Sequence, residues 1–337
     1  MNLWALENRT PFAAAALPDR DALGAQHWVV AIRASFGLPQ QDGFVRALPE
    51  QPAVRLAPEY APDGSLRHED DICPFAPCPE FLVQGTIVPE GRAPAQTFLI
   101  TLGKIEKRAV LHPPAEAVLR RGRWRIEAGD RLVPVTLAWT GTFGGTSPLG
   151  KRHEDNPRGT GFGLHEARAL PDGTRLRLAC LLPPGIARLD SEAARPVGFA
   201  PLDRWYPRRA ALAGTWDDAW DRTRAPAPPA DFNPHFHLCA PRDQWLPDGL
   251  KGGEQVMMTG AGPEPFGRFR LPQILAIARI TFRGAARELR LRPQRIEIDL
   301  DARRLSMLYL ASLPCGPFEA EVEKTVLHVR QISGVQK

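Results

Sequence analysis

The chain has few of the features that mark secreted, membrane-spanning or metal-stabilised proteins. Its five cysteines, at positions 73, 78, 180, 239 and 315, are odd in number and lack paired C-x-x-C spacing. Neither a disulfide framework nor a zinc ribbon is therefore predicted. The N-terminal residues lack a basic segment followed by an apolar core, and no apolar run reaches the ~18 residues that span a membrane. These absences predict a cytoplasmic, reduced protein.

Long helices are also excluded over most of the chain, because 35 prolines are scattered along its 337 residues. A proline inside a helix removes a backbone hydrogen-bond donor and clashes with the preceding turn. The apolar content is nevertheless sufficient for a large core, since 43% of the residues are hydrophobic and 24% are charged. This composition favours short strands connected by many turns.

Lysine is scarce as well, with six lysines beside 37 arginines and a net charge of +5. Arginine is well suited to bind phosphates and carboxylates, so an Arg-rich nucleic-acid-binding protein is one alternative. No dense run of basic residues with interleaved aromatics supports it, however. The coding bias of a GC-rich genome is a simpler explanation of the arginine content.

Short runs of β-branched and aromatic residues predict a mainly β protein with little helix. Region 1–140 is predicted as an antiparallel β-sandwich-like half, and region 266–337 as a second β-strand half. Between them, region 141–265 is rich in Gly, Pro and Trp and is predicted to be an ordered loop region. A hairpin is predicted over 295–310. The predicted strands are 28–36, 81–88, 97–102, 106–111, 124–127, 132–139, 274–282, 288–291, 296–300, 305–310 and 322–329.

The most unusual stretch is 139–163, in which seven of 25 residues are glycine. From Gly145, the letters GTSPLGKR match a phosphate-binding loop through Lys151. A phosphate-binding loop next requires a Ser or Thr hydroxyl for magnesium, and Arg152 stands there instead. We therefore predict no nucleotide or other cofactor, and an ordered loop onto which other segments pack.

His235, His237 and Cys239 alternate in DFNPHFHLCAP. On a strand, alternating residues lie on one face, where these three side chains could bind zinc. The flanking prolines do not favour a regular strand, so a structural role is the preferred interpretation. No metal site is predicted here.

A dense acidic cluster follows His68 and consists of Glu69, Asp70 and Asp71. Together with the two histidines of DFNPHFHLCAP it suggests a second alternative, a metal-dependent hydrolase. Adjacent residues in an extended chain point in opposite directions, however, and a turn capped by one carboxylate is the simpler interpretation. The sequence also lacks a G-x-S-x-G motif, and we predict no catalytic residues.

Eight short pieces occur in order through about residue 271. They are LENRTPF from Leu6, WVVAIRASF from Trp28, EDDICPFAPCPEFLVQG from Glu69, FGG from Phe143, NPRGTGF from Asn156, WYPRRAALAGTWDDAW from Trp205, DFNPHFHLCAPRDQ from Asp231 and GGE from Gly252. The set resembles the domain-of-unknown-function family encoded beside VgrG spike and PAAR genes in bacterial type VI secretion clusters. NPxGxGF and AGTWDxxW are its most specific parts, and the C-terminal third departs from the family pattern.

This resemblance implies a non-enzymatic adaptor or chaperone that binds a secreted effector and assists its loading onto the VgrG and PAAR spike proteins. It implies neither a cofactor nor a membrane partner. Two loop segments, 143–162 and 205–220, are predicted to contact these partners, although their aromatic side chains could equally fill the protein's own core. The predicted partner-binding residues are Phe143, Gly144, Gly145, Asn156, Gly159, Phe162, Trp205, Trp216 and Trp220.

Overall fold

A computed structural model describes residues 5–193, 195–316 and 321–336, with the side chains of 191–193 left out. It confirms the predicted fold class, because strands make up most of the regular structure and the helices are short. The α-helices of the described residues are α1 (Pro207–Ala210) and α2 (Asp218–Thr223). The 3-10 helices there are Trp139–Gly141, Leu164–Ala169, Arg188–Ala193, Pro234–His237 and Arg242–Gln244.

The strands of the described residues follow in chain order. The first thirteen are β1 (Ala5–Asn8), β2 (Ala13–Arg20), β3 (Gln26–Gly37), β4 (Val45–Ala47), β5 (Glu59–Tyr60), β6 (Leu66–His68), β7 (Glu80–Gln84), β8 (Thr86–Ile87), β9 (Gln96–Leu102), β10 (Ile105–Leu111), β11 (Ala115–Arg120), β12 (Arg123–Ala128) and β13 (Val135–Thr136). The others are β14 (Phe143–Gly144), β15 (Thr160–Gly161), β16 (Arg175–Leu178), β17 (Leu181–Leu182), β18 (Gln255–Thr259), β19 (Phe269–Arg270), β20 (Gln273–Phe282), β21 (Ala285–Arg290), β22 (Arg292–Asp299), β23 (Arg304–Pro314), β24 (Val322–Ser333) and β25 (Val335–Gln336).

The largest sheet runs in the order β25-β4-β3-β23-β22-β7, with β2 also paired to β3. At its centre β3 pairs antiparallel with β23, from Gly37 opposite Arg304 to His27 opposite Pro314. At one side β7 pairs parallel with β22. The two strand-rich regions, 1–140 and 266–337, therefore share this sheet instead of each forming a sheet of its own.

Three of the other sheets also combine segments that are distant in the chain. A five-stranded sheet has the order β17-β10-β9-β18-β19, a four-stranded sheet β1-β24-β20-β21, and a three-stranded sheet β12-β11-β16. Most pairs are antiparallel as predicted, but β1 with β24 and β4 with β25 are parallel, so the sheets that contain them are mixed. None of the described helices is both long enough and apolar enough to cross a bilayer.

Strand β3 is buried on both faces, which explains its nearly continuous apolar sequence. Trp28, Val30 and Ile32 belong to the main core, whereas Val29 and Ala31 pack in a second cluster on the opposite face. The indole nitrogen of Trp28 donates a hydrogen bond to Thr325 Oγ1 at 2.9 Å. This contact satisfies the one polar atom of a side chain that is otherwise enclosed by apolar groups.

Most predicted strands are confirmed, and the hairpin over 295–310 is formed by β22 and β23. The strand predicted over 132–139 is wrong in extent. Only Val135–Thr136 pairs as a strand, and a 3-10 helix begins at Trp139, within the predicted range. The sequence interpretation missed β2, whose alanines and proline have low strand propensity. Pairing with β3 along its whole length holds it extended.

Candidate functional site

Asn156 is fully buried at the centre of the Gly-rich loop, 139–163. Its Nδ2 donates hydrogen bonds to Trp139 O at 2.8 Å, to Thr142 Oγ1 at 2.8 Å and to Phe143 O at 2.9 Å. Its Oδ1 accepts from the hydroxyl of Tyr206 at 3.2 Å. One amide thus satisfies several buried backbone and side-chain groups, which makes Asn156 an internal clamp of the loop.

The glycines of the FGG motif allow the loop to close upon this asparagine. Gly145 N donates to Asn156 O at 2.7 Å, and Gly159 N donates to the same oxygen at 3.3 Å. A Cβ atom at Gly144 would overlap Asn156 O, and one at Gly145 would overlap Gly159 O. A Cβ at Gly159 would likewise overlap Thr142 O, so Gly144, Gly145 and Gly159 are required by close backbone approach.

Three rings pack edge to face beside the clamp. The ring centroids of Phe143 and His153 lie 5.1 Å apart, those of His153 and Phe162 lie 5.0 Å apart, and those of Phe143 and Phe162 lie 6.3 Å apart. Phe143 is buried and Phe162 is half-buried. The structure therefore places Phe143, Gly144, Gly145 and Asn156 inside the protein, where they hold the loop together.

The acidic cluster after His68 is bound by arginines. Glu69 Oε1 accepts from Arg204 at 2.7 Å and Glu69 Oε2 accepts from Arg209 at 2.7 Å, while Asp70 pairs with Arg204 at 2.5 Å. Burial alone would raise the pKa of Glu69, but the positive charges of Arg209 and Arg204 lower it to about 2. Glu69 is thus an ionised structural anchor, unsuited to proton transfer near neutral pH.

Asp71 belongs to a second, deeper group of charges. Its Oδ2 accepts from Arg55 N at 2.9 Å and from Arg33 Nη1 at 3.4 Å. Arg55 also pairs with Glu297, which lies on β22. Burial, followed by the negative charge of Glu297, raises the pKa of Asp71. Glu69 and Asp70 therefore share Arg204, whereas Asp71 is bound by Arg33 and Arg55.

His235, His237 and Cys239 do not share a strand face, because Pro234–His237 is a 3-10 helix. The ring of His235 stacks on Trp245, with centroids 5.0 Å apart and planes at 28°. His237 packs against Phe232 at 5.2 Å, and burial lowers its pKa to about 4. The fully buried Cys239 has Glu80 as its Sγ partner. Within the described residues, no group of His, Cys, Asp and Glu side chains is arranged to hold a metal ion.

The tryptophans of the second predicted segment, 205–220, lie at or near the surface. Trp205, in the turn before α1, is 81% exposed, and Trp216 is 55% exposed. Trp220 is half-buried and packs against Trp216 with ring centroids 4.5 Å apart. We call these three residues the tryptophan surface. Leu23 is 83% exposed. The next residue, Gly24, lies close to Ala227, whose carbonyl oxygen accepts a hydrogen bond from the Trp220 indole.

A two-lobed cleft lies next to α1. Its first lobe has a volume of about 820 Å³ and its second lobe about 730 Å³. His235, Arg242, Asp243 and Trp245 line both lobes, so the lobes are adjacent and share these residues as a common wall. Tyr206 lines the first lobe, and it directly follows the exposed Trp205 in the chain. The tryptophan surface and the cleft are therefore connected through α1 and the turn that precedes it.

Lys107 lies at the inner wall of the first lobe. Its Nζ donates to Asp243 Oδ1 at 2.8 Å, to Gln244 Oε1 at 2.7 Å and to Gly198 O. Burial lowers the pKa of this amine to about 8, although Asp243 opposes the shift. The amine is held by three acceptors, so Lys107 positions the Arg242–Gln244 helix at the cleft.

The sequence analysis did not single out Lys107, Arg209 or Arg242. A weak signal existed for Arg209, because WYPRRAAL places paired arginines directly after a helix-starting proline. Nothing in the sequence indicated that Lys107 is buried, because a single charged residue on a strand of alternating polarity ordinarily faces water. Its burial depends on Arg242–Gln244, which lies more than a hundred residues away in the chain.

Comparison with known proteins gives one match. The family model described as "Uncharacterized protein conserved in bacteria (DUF2169)" matches residues 23–309. The match extends past residue 271, where the sequence resemblance was expected to end, and includes β22 and part of β23. No curated protein and no solved structure matches the chain.

Proposed function

The chain belongs to the DUF2169 family of uncharacterized proteins conserved in bacteria, and from this premise we propose that it is a non-enzymatic adaptor or chaperone of a type VI secretion system. In this role it binds a secreted effector in the bacterial cytoplasm and assists the loading of that effector onto the VgrG and PAAR spike proteins. The secretion context comes from the ordered set of sequence pieces described above. The binding role has separate, structural support.

The observation that carries the binding role is the exposure of Trp205. A tryptophan side chain buries ~150–250 Å² when it is covered, so an indole left in water forgoes a large stabilisation. Tryptophan is also among the residues that contribute most to binding at protein interfaces. A partner that covers Trp205 would recover this energy.

Trp205 is not the only large apolar side chain that is exposed among the described residues. Trp216 and Leu23 are exposed as well, and Trp216 is held in place by the hydrogen bond from its Nε1 to Ala213 O at 2.9 Å. Fixed, exposed apolar groups lose little conformational entropy on binding. The tryptophan surface thus has the chemistry of a preformed protein contact.

Several observations on the described residues weigh against the two alternatives. A metal-dependent hydrolase would need the carboxylates of Glu69 and Asp71 free, yet both are bound by arginines. For nucleic-acid binding, many arginines would have to face a phosphate backbone. Arg33, Arg55 and Arg295 are instead buried and paired with carboxylates.

The test is capture of an identified partner in the protein's own bacterium. A tagged wild-type chain, the double variant Trp205→Ala/Trp216→Ala and the control Phe44→Ala replace the native gene, and retained proteins are identified by mass spectrometry. Phe44 is a suitable control because it is also an exposed aromatic residue. We expect the wild type and Phe44→Ala to retain a toxin-like effector encoded nearby together with VgrG or PAAR.

The double variant is expected to retain about tenfold less effector, which corresponds to ~1.4 kcal/mol of binding free energy. Thermal unfolding of all three proteins should be alike, which separates loss of binding from loss of folding. The adaptor role is refuted if the wild type retains neither an effector nor a spike protein. If the double variant retains as much effector as the wild type, the tryptophan surface is not the site that binds the effector.

A further inference from the structure

The first lobe of the cleft carries an excess of positive charge. Five cationic side chains line it, against two carboxylates, those of Asp155 and Asp243. The five are Lys107, Arg195, Arg208, Arg209 and Arg242. A concave surface with such an imbalance attracts anionic groups, because its walls limit screening by water.

Three of the five cations already have partners in the protein. Lys107 pairs with Asp243, Arg208 with Asp155, and Arg209 with Glu69. The other two, Arg195 and Arg242, are exposed, and neither has an ion-pair partner among the described residues. These two guanidinium groups are the ones available to an incoming anion. Arginine binds carboxylates through two parallel hydrogen bonds.

The rest of the lining is apolar and aromatic. Leu202, Leu212 and Pro196 contribute to the first lobe, and the stacked rings of His235 and Trp245 form the boundary between the lobes. In the second lobe the charges are balanced, for example by Lys104, whose Nζ lies 3.7 Å from Asp248 Oδ2. The cleft therefore has one cationic end and one charge-balanced end.

We propose that this cleft binds an extended peptide segment of the effector, with aspartate or glutamate side chains on Arg195 and Arg242 and apolar side chains beside His235 and Trp245. The proposal rests on the proposed adaptor function, whose partner it describes more closely. Charge complementarity selects the acidic character of the segment. The position of two lobes side by side favours an extended chain, which can reach both, over a compact small molecule.

The experiment uses the full chain and a short fluorescent peptide in which aspartate alternates with leucine. Two matched peptides replace the aspartates with asparagine or with lysine. We expect saturable binding of the aspartate peptide only, measured by fluorescence anisotropy, with an affinity that falls as salt is raised. The double variant Arg195→Glu/Arg242→Glu should weaken binding by about tenfold or more.

Two control variants keep this test specific. Arg287→Glu changes an exposed arginine on β21 and should leave peptide affinity unchanged. Arg242→Lys keeps the charge but cannot form the two parallel hydrogen bonds, so it should weaken binding less than Arg242→Glu does. Both exposed cleft arginines can be changed without removing a described ion pair, and unfolding curves verify the fold. Absence of binding by the aspartate peptide, or equal affinity of the double variant, overturns the proposal.

Competition identifies the ligand chemistry. If single-stranded DNA displaces the aspartate peptide at far lower concentration than the unlabelled peptide does, the cleft selects phosphates and the peptide proposal is overturned. The outcome is also separable from the adaptor role. An adaptor whose effector capture needs Trp205 and Trp216 but is unaffected by Arg195→Glu/Arg242→Glu retains its proposed function, and only the cleft assignment fails.

Discussion

Arg55 and Glu297, 242 residues apart in the chain, form a two-pronged ion pair inside the protein, with Nη1–Oε1 at 2.7 Å and Nη2–Oε2 at 2.8 Å. Arg33 approaches the same carboxylate, its Nη2 lying 3.4 Å from Oε2. Burial by itself would raise the pKa of Glu297. The positive charges of Arg55 and then of Arg33 outweigh burial, so the pKa of Glu297 is lowered. This pair joins an N-terminal segment to β22 at the far end of the sequence.

Truncation of this pair should strongly destabilise the protein. We expect Arg55→Ala to lower the free energy of unfolding by about 3–5 kcal/mol, because it leaves the Glu297 carboxylate buried with too little compensation. Urea denaturation measures the effect. Arg175→Ala, which breaks exposed pairs with Glu116 at 2.7 Å and Glu127 at 3.1 Å, is the control and should change the free energy of unfolding far less, because water screens exposed ion pairs. Similar losses in both variants would contradict the structural role of the buried pair.

Stability should fall on mild acidification because two histidines are buried in the neutral form. Burial lowers the pKa of His68 to about 3 and that of His237 to about 4, from an ordinary 6.5. Between pH 6.5 and these values the unfolded chain binds more protons than the folded one. The free energy of unfolding therefore decreases as the pH falls through this window, and is fully retained above it.

The size of this pH effect can be measured by urea denaturation at about pH 7.5 and about pH 5. Each histidine is expected to contribute roughly 1–2 kcal/mol to the difference. His68→Gln should reduce the difference by its share, because glutamine does not titrate. A difference that is unchanged in His68→Gln would show that this histidine is not the group responsible.

Asn156→Ala should loosen the Gly-rich loop and destabilise the whole protein. The substitution leaves buried carbonyl oxygens of Trp139 and Phe143 without their side-chain donor, and we expect a loss of about 2–4 kcal/mol in unfolding free energy. Asn233→Ala is a suitable comparison, since Asn233 is exposed and caps one 3-10 helix. That variant should cost only about 1 kcal/mol. If Asn156→Ala and Asn233→Ala unfold at the same denaturant concentration, Asn156 does not act as a clamp of the loop.

Partner binding should protect the exposed tryptophans from a soluble quencher. In the free protein, acrylamide should readily quench Trp205 and Trp216, and Trp205→Phe/Trp216→Phe should lose most of this accessible component. In the wild type, added effector is expected to reduce the fraction of tryptophan fluorescence that acrylamide can quench by about half or more. The reason is that an interface excludes water from its central residues. Trp28 is buried and provides the unquenched baseline. Unaltered quenching in a verified complex would place the interface elsewhere.

Much of the fold follows from local sequence. The apolar runs around Trp28, Ile277 and Ile298 predict strands correctly, because alternating or continuous apolar side chains suit an extended, buried backbone. The loop region was also predicted to be ordered, and Asn156 and the neighbouring glycines explain that order. The acidic cluster at Glu69 was harder to interpret, since its arginine partners come from a segment more than 130 residues away.

The sequence by itself determined the mainly β class, the positions of most strands and the short length of the helices, because strand propensity, proline and turn residues act over a few neighbouring positions. Only the tertiary structure decided that β3 pairs with β23, that Glu297 meets Arg55, and that Trp205 faces solvent while the adjacent Tyr206 is buried. Each of these depends on which distant segments come together and which side chains they cover. That outcome is set by packing of the whole chain and leaves no local pattern.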